Sequence, residues 1–322
     1  MTPLGKAINS GLRRAMIEDD RVLIMGEDVG ALGGVFRITE GLAEEFGDDR
    51  VIDTPLAESG IIGTAIGLAM RGYRPVCEIQ FDGFVYPAFD QITSQLSKMR
   101  ARSKGTISLP VVIRIPFGGG IGAVEHHSES NETYFAHTAG LRVVTCSNPN
   151  DAYWMIQQSI QSDDPVIFFE PKRRYWDKGE INESKPTLEL HQSAIVRSGH
   201  DLTLLSYGPT VKTALEVAQV CEGEGRDIEV IDLRSLSPLD MAPVFESVHK
   251  TGRVVVLHEA PTFLGLGAEL AAQITEECFY SLDAPVLRVG GFNTPYPPSR
   301  LEEFYLPDLD RTLDAIDRAF GF

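Results

Sequence analysis

At 322 residues the chain is long enough to bury a large core, and two domains are expected rather than one. Its 29 basic and 46 acidic residues give a formal charge of −17, which argues against nucleic acid and anionic membrane as partners. A hydrophobic content of 43% is ordinary for a globular protein.

In chain order, Leu4 to Met16 reads as an amphipathic helix, and Val22-Leu-Ile-Met-Gly-Glu-Asp as a buried strand ending in an acidic turn. Gly30 to Gly34 is a loop, Thr39 to Phe46 a short helix and Arg50-Val-Ile-Asp a strand. Ile61 to Met70 belongs to a helix, and Arg74-Pro-Val-Cys-Glu-Ile-Gln-Phe is the next strand. Tyr86 to Arg102 reads as one helix with Phe89, Ile92, Leu96 and Met99 on one side. Val111 to Ile115, Leu141 to Thr145 and Val166 to Glu170 are strands, with a helix over Asp151 to Gln161. Pro171 to Pro186 reads as an exposed connector. The alternation then restarts, with strands at Leu202 to Ser206, Ile228 to Asp232, Val254 to Leu257 and Pro285 to Val289. Helices fall over Val211 to Glu222, Leu239 to His249, Gly267 to Cys278 and Arg311 to Phe320. Short β-branched runs alternating with helices predict α/β units with parallel sheets covered on both faces, and a boundary near residues 175–195.

Cys77, Cys146, Cys221 and Cys278 lie far apart with no Cys-x-x-Cys, so free thiols in a reducing compartment are expected. The first residues hold neither an apolar signal core nor an Arg-rich leader, and the run from Ile61 to Met70 is too short to span a bilayer. The expected location is the cytoplasm.

The stretch from Asp53 to Gly72 organises the first half. It reads as a strand end, a proline-marked turn and a helix capped by Ser59. Gly60, Gly63 and Gly67 fall near one stripe, where a second backbone can come close. Ile61, Ile62, Ala65, Leu68 and Ala69 make the rest apolar, so the helix is expected to be buried nearly all round. Glu58 stands at its mouth. A carboxyl group shielded from water and lacking a cationic partner protonates more easily, which suits a proton donor near neutrality. The competing reading is an acid that complements the helix dipole.

In doubly wound sheets ligands bind beyond the carboxyl ends of the strands. Glu27 and Asp28, the Pro55-to-Glu58 turn, Gln80 to Phe84, and the loop from Gly118 to Ser130 all sit at such ends, so they are expected to share a pocket. His126 and His127 follow the glycine-rich loop, as surface histidines or as one proton donor. Their spacing with His137 does not make a zinc site. The glycines at 118, 119, 120 and 122 match neither a Walker loop nor the dinucleotide fingerprint, and a mobile loop is expected there.

These stretches carry a resemblance. Gly26-Glu-Asp-Val, Ile52-Asp-Thr-Pro-Leu-Ala-Glu58, Arg74-Pro-Val-Cys-Glu-Ile-Gln-Phe, Pro87-Ala-Phe-Asp-Gln, His127-Ser, Ala136-His137-Thr-Ala-Gly-Leu, Pro165-Val-Ile-Phe-Phe-Glu and Leu282-Asp-Ala-Pro-Val-Leu-Arg-Val occur in this order. Over essentially its whole length the chain resembles the β subunit of the two-chain, thiamine-diphosphate-dependent 2-oxo acid dehydrogenase component of large multienzyme complexes. The resemblance implies a thiamine-diphosphate-binding, pyrimidine-type doubly wound parallel-sheet domain over 1–180. A linker over 181–195 and a transketolase C-terminal-like α/β domain over 196–322 follow.

It further implies an α2β2 heterotetramer with thiamine diphosphate between an α and a β chain. Glu58 falls on the pyrimidine-binding glutamate, whose implied role is to hold the cofactor's ring nitrogen and shuttle its proton. Gln80 and Phe84 match positions beside the pyrimidine, Leu56 a backbone position next to it, and Glu27 an acid close by. His127 matches the active-site histidine that orients the acyl intermediate or the incoming lipoyl group, and His137 a structural one. Val111, Ile160 and Asp164 match positions near which some relatives carry potassium. The Gly-Asp-Gly motif for magnesium is missing, since Gly47-Asp-Asp does not supply it. Magnesium is therefore assigned to the α subunit, and activity is expected only with that subunit present. The stretches starting at Phe81 and His127 look closer to the branched-chain than to the pyruvate type, with a lipoyl-bearing acyltransferase as the next partner. The alternatives are a pyruvate dehydrogenase β subunit and a non-catalytic docking subunit of the same fold.

Overall fold

The computed structural model describes residues 1–322. Its strands, in chain order, are β1 (Thr2–Pro3), β2 (Val22–Gly26), β3 (Val51–Asp53), β4 (Arg74–Glu78), β5 (Val112–Phe117), β6 (Arg142–Thr145) and β7 (Val166–Pro171). There follow β8 (Lys178–Gly179), β9 (Ala194–Arg197), β10 (Leu202–Ser206), β11 (Ile228–Asp232), β12 (Ser235–Ser237), β13 (Val254–Pro261) and β14 (Leu287–Gly291). One sheet runs in the order β12-β6-β7-β5-β4-β2-β3 and the other in the order β14-β13-β10-β11-β9. Both are parallel except at β12 and β9, which pair antiparallel with β6 and β11. Every residue of β2, β5, β7, β10 and β11 is buried, as expected for strands covered on both faces.

The helices Leu4–Glu18 and Pro149–Gln161 pack on one face of the first sheet. Asn148 caps the second of these by accepting the N–H of Asp151. On the other face a single core runs from Met25, Ile62 and Ile113 through Leu205, Ile231 and Val256 to Leu266, so the two sheets share it. β12 also crosses over, carrying a segment of the second half into the first sheet through the pairing of Ser235 with Val144.

Two expectations change. The segment expected as one helix over Tyr86 to Arg102 is a 3₁₀ turn (Asp82–Ala88) holding Pro87, a π turn (Gln91–Leu96) and a helix (Ser97–Arg102). Proline lacks the N–H that a continuous ladder needs. The connector after Pro171 is exposed only in part. β8 pairs with β1, and Lys172 and Tyr175 are fully enclosed.

The chain order places the site. β2 lies one strand in from the sheet edge, with β3 added on its outer side and β4 returning to its inner side. This reversal opens a crevice at the carboxyl ends of β2, β3, β4 and β5. Beneath it Arg114 on β5 joins Glu78 on β4 at 2.7 Å and Glu170 on β7 at 2.6 Å, all three buried. The Tyr175 hydroxyl donates to Glu170 at 2.5 Å.

Candidate active site

The crevice opens on two acids. Glu27 leaves β2 at its carboxyl end and is 9% exposed, with Oε1 enclosed and without a hydrogen-bond partner. Asp28 turns the chain at φ 58, and Gln80 bridges from β4 by donating to the Glu27 carbonyl at 3.4 Å and to Asp28 Oδ2 at 3.2 Å. Burial first, then the neighbouring Glu58, then Asp28, push the Glu27 carboxyl above the usual carboxylate range. Glu58 opens the helix Glu58–Met70 and is 8% exposed. It has no basic side chain within ion-pair distance. Ser59 does not cap this helix. The cap position is Ala57, without a side-chain bond.

The helix is not buried all round. Ile61, Ile62, Ala65, Ile66 and Ala69 face the core, whereas Gly60, Gly63, Thr64 and Gly67 face outward. A Cβ built on Gly67 meets nothing within 4 Å, and one on Gly63 only Gln91 at 3.8 Å. The glycine stripe read as a close approach therefore approaches nothing in this chain. Leu56, just before it, is 81% exposed.

An aromatic wall stands next to the acids. His127 lies 4.0 Å from Phe81 and 5.1 Å from Phe84 between ring centroids, and 4.3 Å from His126. Gly83 lets the chains touch, since a Cβ there would come within 2.5 Å of the His126 carbonyl. Burial chiefly, then His126 and Lys172, lower the His127 pKa, and its Nδ1 is enclosed without a partner. A neutral ring with one free nitrogen can orient or accept from a polar group. His137 sits apart, exposed at the end of the helix Glu132–Ala136.

The loop carrying the histidines is tied down at several points, contrary to the mobile loop expected. At its far end Asp82 Oδ2 accepts the Glu129 N–H at 2.9 Å, and the Asp82 carbonyl accepts Asn131 Nδ2 at 3.0 Å. Lys172 pairs with Asp82 at 2.7 Å, both fully buried. Burial pushes the Asp82 carboxyl up to about 6 against the pull of Lys172. At its near end Glu259 and Glu302, from the second half, accept the glycine N–H groups. Asp82, Lys172, Glu259 and Glu302 are not legible as site residues in sequence. They are single charged residues with no spacing pattern, and only their burial singles them out.

The structure thus brings together Glu27, Glu58, Gln80, Phe84 and His127. An unpartnered buried carboxylate oxygen, a second acid without a counter-ion and an aromatic wall fit an aromatic ring bearing N–H donors. At the positions matched to potassium, the donor groups already carry partners within the chain. Asp164 is already held by Arg100 at 2.5 Å and Arg142 at 2.7 Å. The Ile160 carbonyl accepts Arg74 Nη1 at 2.8 Å, and the Val111 carbonyl accepts the Val166 N–H at 2.9 Å. No helix is long and apolar enough to cross a membrane.

Residues 2–177 match the family described as transketolase, pyrimidine binding domain, and residues 191–311 the family described as transketolase, C-terminal domain. The chain is 63% identical over 320 residues to the pyruvate dehydrogenase E1 component subunit beta of Leifsonia xyli, covering 99% of this chain and 95% of that protein. It is 56% identical over 314 residues to the 3-methyl-2-oxobutanoate dehydrogenase subunit beta of Mycobacterium tuberculosis, covering 97% and 90%. Among solved structures, a chain described as split gene transketolase, inactive beta4 tetramer, superposes with a TM-score of 0.79 at 20% identity, covering 99% and 98%. That likeness is one of fold.

Proposed function

The chain belongs to the family of E1 β subunits of thiamine-diphosphate-dependent 2-oxo acid dehydrogenases, and we propose that it holds the aminopyrimidine end of that cofactor against Glu58. The observation that carries this reading is the juxtaposition of Glu58, buried without a basic partner, with Glu27 and its unpartnered oxygen. Glu58 would hold the ring nitrogen and move its proton. Glu27 would hold the ring's amino side, and Phe84, Gln80 and the Leu56 backbone would line its place. His127 would orient the acyl group or the lipoyl arm that receives it, its ring half-buried beside Phe81 with Nδ1 left unpartnered. When bound, thiamine diphosphate supplies the electron sink for decarboxylation.

The diphosphate and magnesium belong to an α subunit, since this sequence lacks the Gly-Asp-Gly motif. The outward glycine face of the helix Glu58–Met70 supports a close subunit contact, and we read the assembly as an α2β2 heterotetramer that acylates a lipoyl-bearing acyltransferase. We divide the chain into a pyrimidine-binding domain (1–180), a linker (181–195) and a C-terminal domain (196–322). Four buried free cysteines support a cytoplasmic location.

For the substrate, the stretches Phe81 to Gln91 and His127 to His137 favour a branched-chain 2-oxo acid. The relative at 63% identity favours pyruvate, and a branched-chain relative at 56% lies close behind. A methylene in an apolar pocket shifts specificity by about 1–3 kcal/mol, so a few side chains decide. The test is the complex reconstituted with its α subunit, assayed on pyruvate and on 4-methyl-2-oxopentanoate. Glu58→Ala is expected to lose about 10²–10⁴-fold in turnover and to weaken cofactor binding. Unchanged turnover in that variant would favour the non-catalytic docking subunit, and full turnover by the β chain alone would refute the shared site.

A further inference from the structure

The glycine-rich loop is a nest of backbone N–H groups, and it is already filled. Gly118, Gly120 and Gly122 have φ of 82, 86 and 71, a conformation that turns neighbouring N–H groups toward one side and makes an anion-binding concavity. The anion is a side chain of the other half. Glu302, 6% exposed at the start of the helix Glu302–Tyr305, accepts Gly120 N–H at Oε1 (2.8 Å) and Gly122 N–H at Oε2 (3.0 Å). The Tyr296 hydroxyl donates to the same Oε1 at 2.6 Å. A Cβ on Gly119 would overlap that hydroxyl, so the loop and Tyr296 are in direct contact. Glu259 on β13 adds a second carboxylate, accepting Gly119 N–H and, at 3.3 Å, the Ser130 hydroxyl. Arg173 lies 3.1 Å from Glu259 Oε2.

We propose that Glu302, backed by Tyr296, is the positioning residue for His127: a bidentate carboxylate from the C-terminal half sets the near end of the loop Gly118–Asn131. The other end hangs on Asp82, which adjoins Gly83 and Phe84 against the histidines. The loop is thus suspended between the halves, and the place of His127 beside Phe81 depends on both anchors. That His127 serves acyl transfer rests on the function proposed above. The positioning itself does not.

The experiment compares the assembled α–β complex of wild type, Glu302→Ala, Glu302→Gln and Tyr296→Phe. Limited proteolysis read by mass spectrometry measures cleavage between residues 118 and 131, and turnover is split into dye-coupled decarboxylation and reductive acylation of lipoamide. Charge-assisted bonds to backbone N–H are among the stronger ones, so Glu302→Ala is expected to raise loop cleavage about tenfold or more, with cleavage elsewhere unchanged. Reductive acylation falls by about tenfold relative to decarboxylation, the cost of a misplaced group. Glu302→Gln and Tyr296→Phe, which keep the volume, give smaller changes in the same direction and serve if Glu302→Ala fails to fold. Wild-type loop cleavage in all three variants would overturn the proposal, as would equal loss of both activities together with a lowered melting temperature. A wild-type complex without turnover on any 2-oxo acid would instead remove the functional reading, leaving the proteolysis to judge the loop.

Discussion

Glu132 gives the sharpest quantitative test of the fold. It opens the helix Glu132–Ala136 in the first half, is fully enclosed, and accepts the Tyr207 hydroxyl of the second half at 2.6 Å. Its Oε2 has no partner. Burial pushes its pKa from 4.5 up to about 7, with the Tyr207 bond pulling the other way. The native state therefore holds this proton more tightly than the unfolded chain does. The stabilisation from this bound proton is complete below the unfolded pKa and is lost as pH rises through 7. Glu132→Gln copies the protonated form, keeping an acceptor for Tyr207 and removing the charge. By linkage the variant should be more stable than wild type by ~3 kcal/mol above pH 8 and by only ~1 kcal/mol near pH 5.5. At a few degrees per kcal/mol this is roughly 6 °C in melting temperature at the alkaline end. The assay is paired thermal melting of both chains from pH 5.5 to 8.5. A difference that stays flat with pH, or a variant less stable at pH 8.5, would refute the argument.

Other consequences are as direct. Gly67→Leu projects into open space in this chain, so its own melting temperature should hold or rise while co-purification with the α subunit fails; an intact complex would count against a subunit contact there. Asp82→Asn leaves Lys172 buried without its counter-charge and should cost about 3–5 kcal/mol in urea unfolding, most of it recovered by adding Lys172→Met. A cost under ~1 kcal/mol would mean that the pair is not enclosed. His258 donates from Nδ1 to the Ala260 carbonyl at 2.9 Å and accepts the Gly267 N–H at 3.3 Å, and burial holds its pKa down at about 4. Its contribution to stability is full above the ordinary 6.5 and is lost as pH falls toward 4. Nitrogen-15 histidine NMR should find it neutral at pH 5.5, and a charged ring at that pH would contradict the assignment.

What could be read in advance followed local rules. β-branched runs such as Val22 to Met25 announce buried parallel strands because both faces must be apolar. The order of β2, β3 and β4 then forces Glu27, Glu58 and Gln80 to one end, so their meeting was legible before any coordinates. Pro87 could have warned that the segment after Phe84 does not run as one helix. The rest depends on pairs with no local signature. Glu302 reaches Gly120 across the whole second half, and β12 returns to a sheet whose other strands end at Pro171. Lys172 looked like part of a solvated charged run, and only its pairing with Asp82 makes burial tolerable.

The bare side of the helix Glu58–Met70 bears on how the cell handles newly made copies. Glycine in a helix interior forgoes about 1 kcal/mol relative to alanine, so Gly60, Gly63 and Gly67 together leave an unmated copy some 2–3 kcal/mol short of what its own backbone could reach. Set against typical folding margins of about 5–15 kcal/mol, that shortfall is large. Proteases sample opened forms, so copies lacking the partner's stabilising contact would be cleaved in preference to mated ones. Matched amounts of the two gene products would then be enforced after translation, by selective turnover of whichever β chains found no mate.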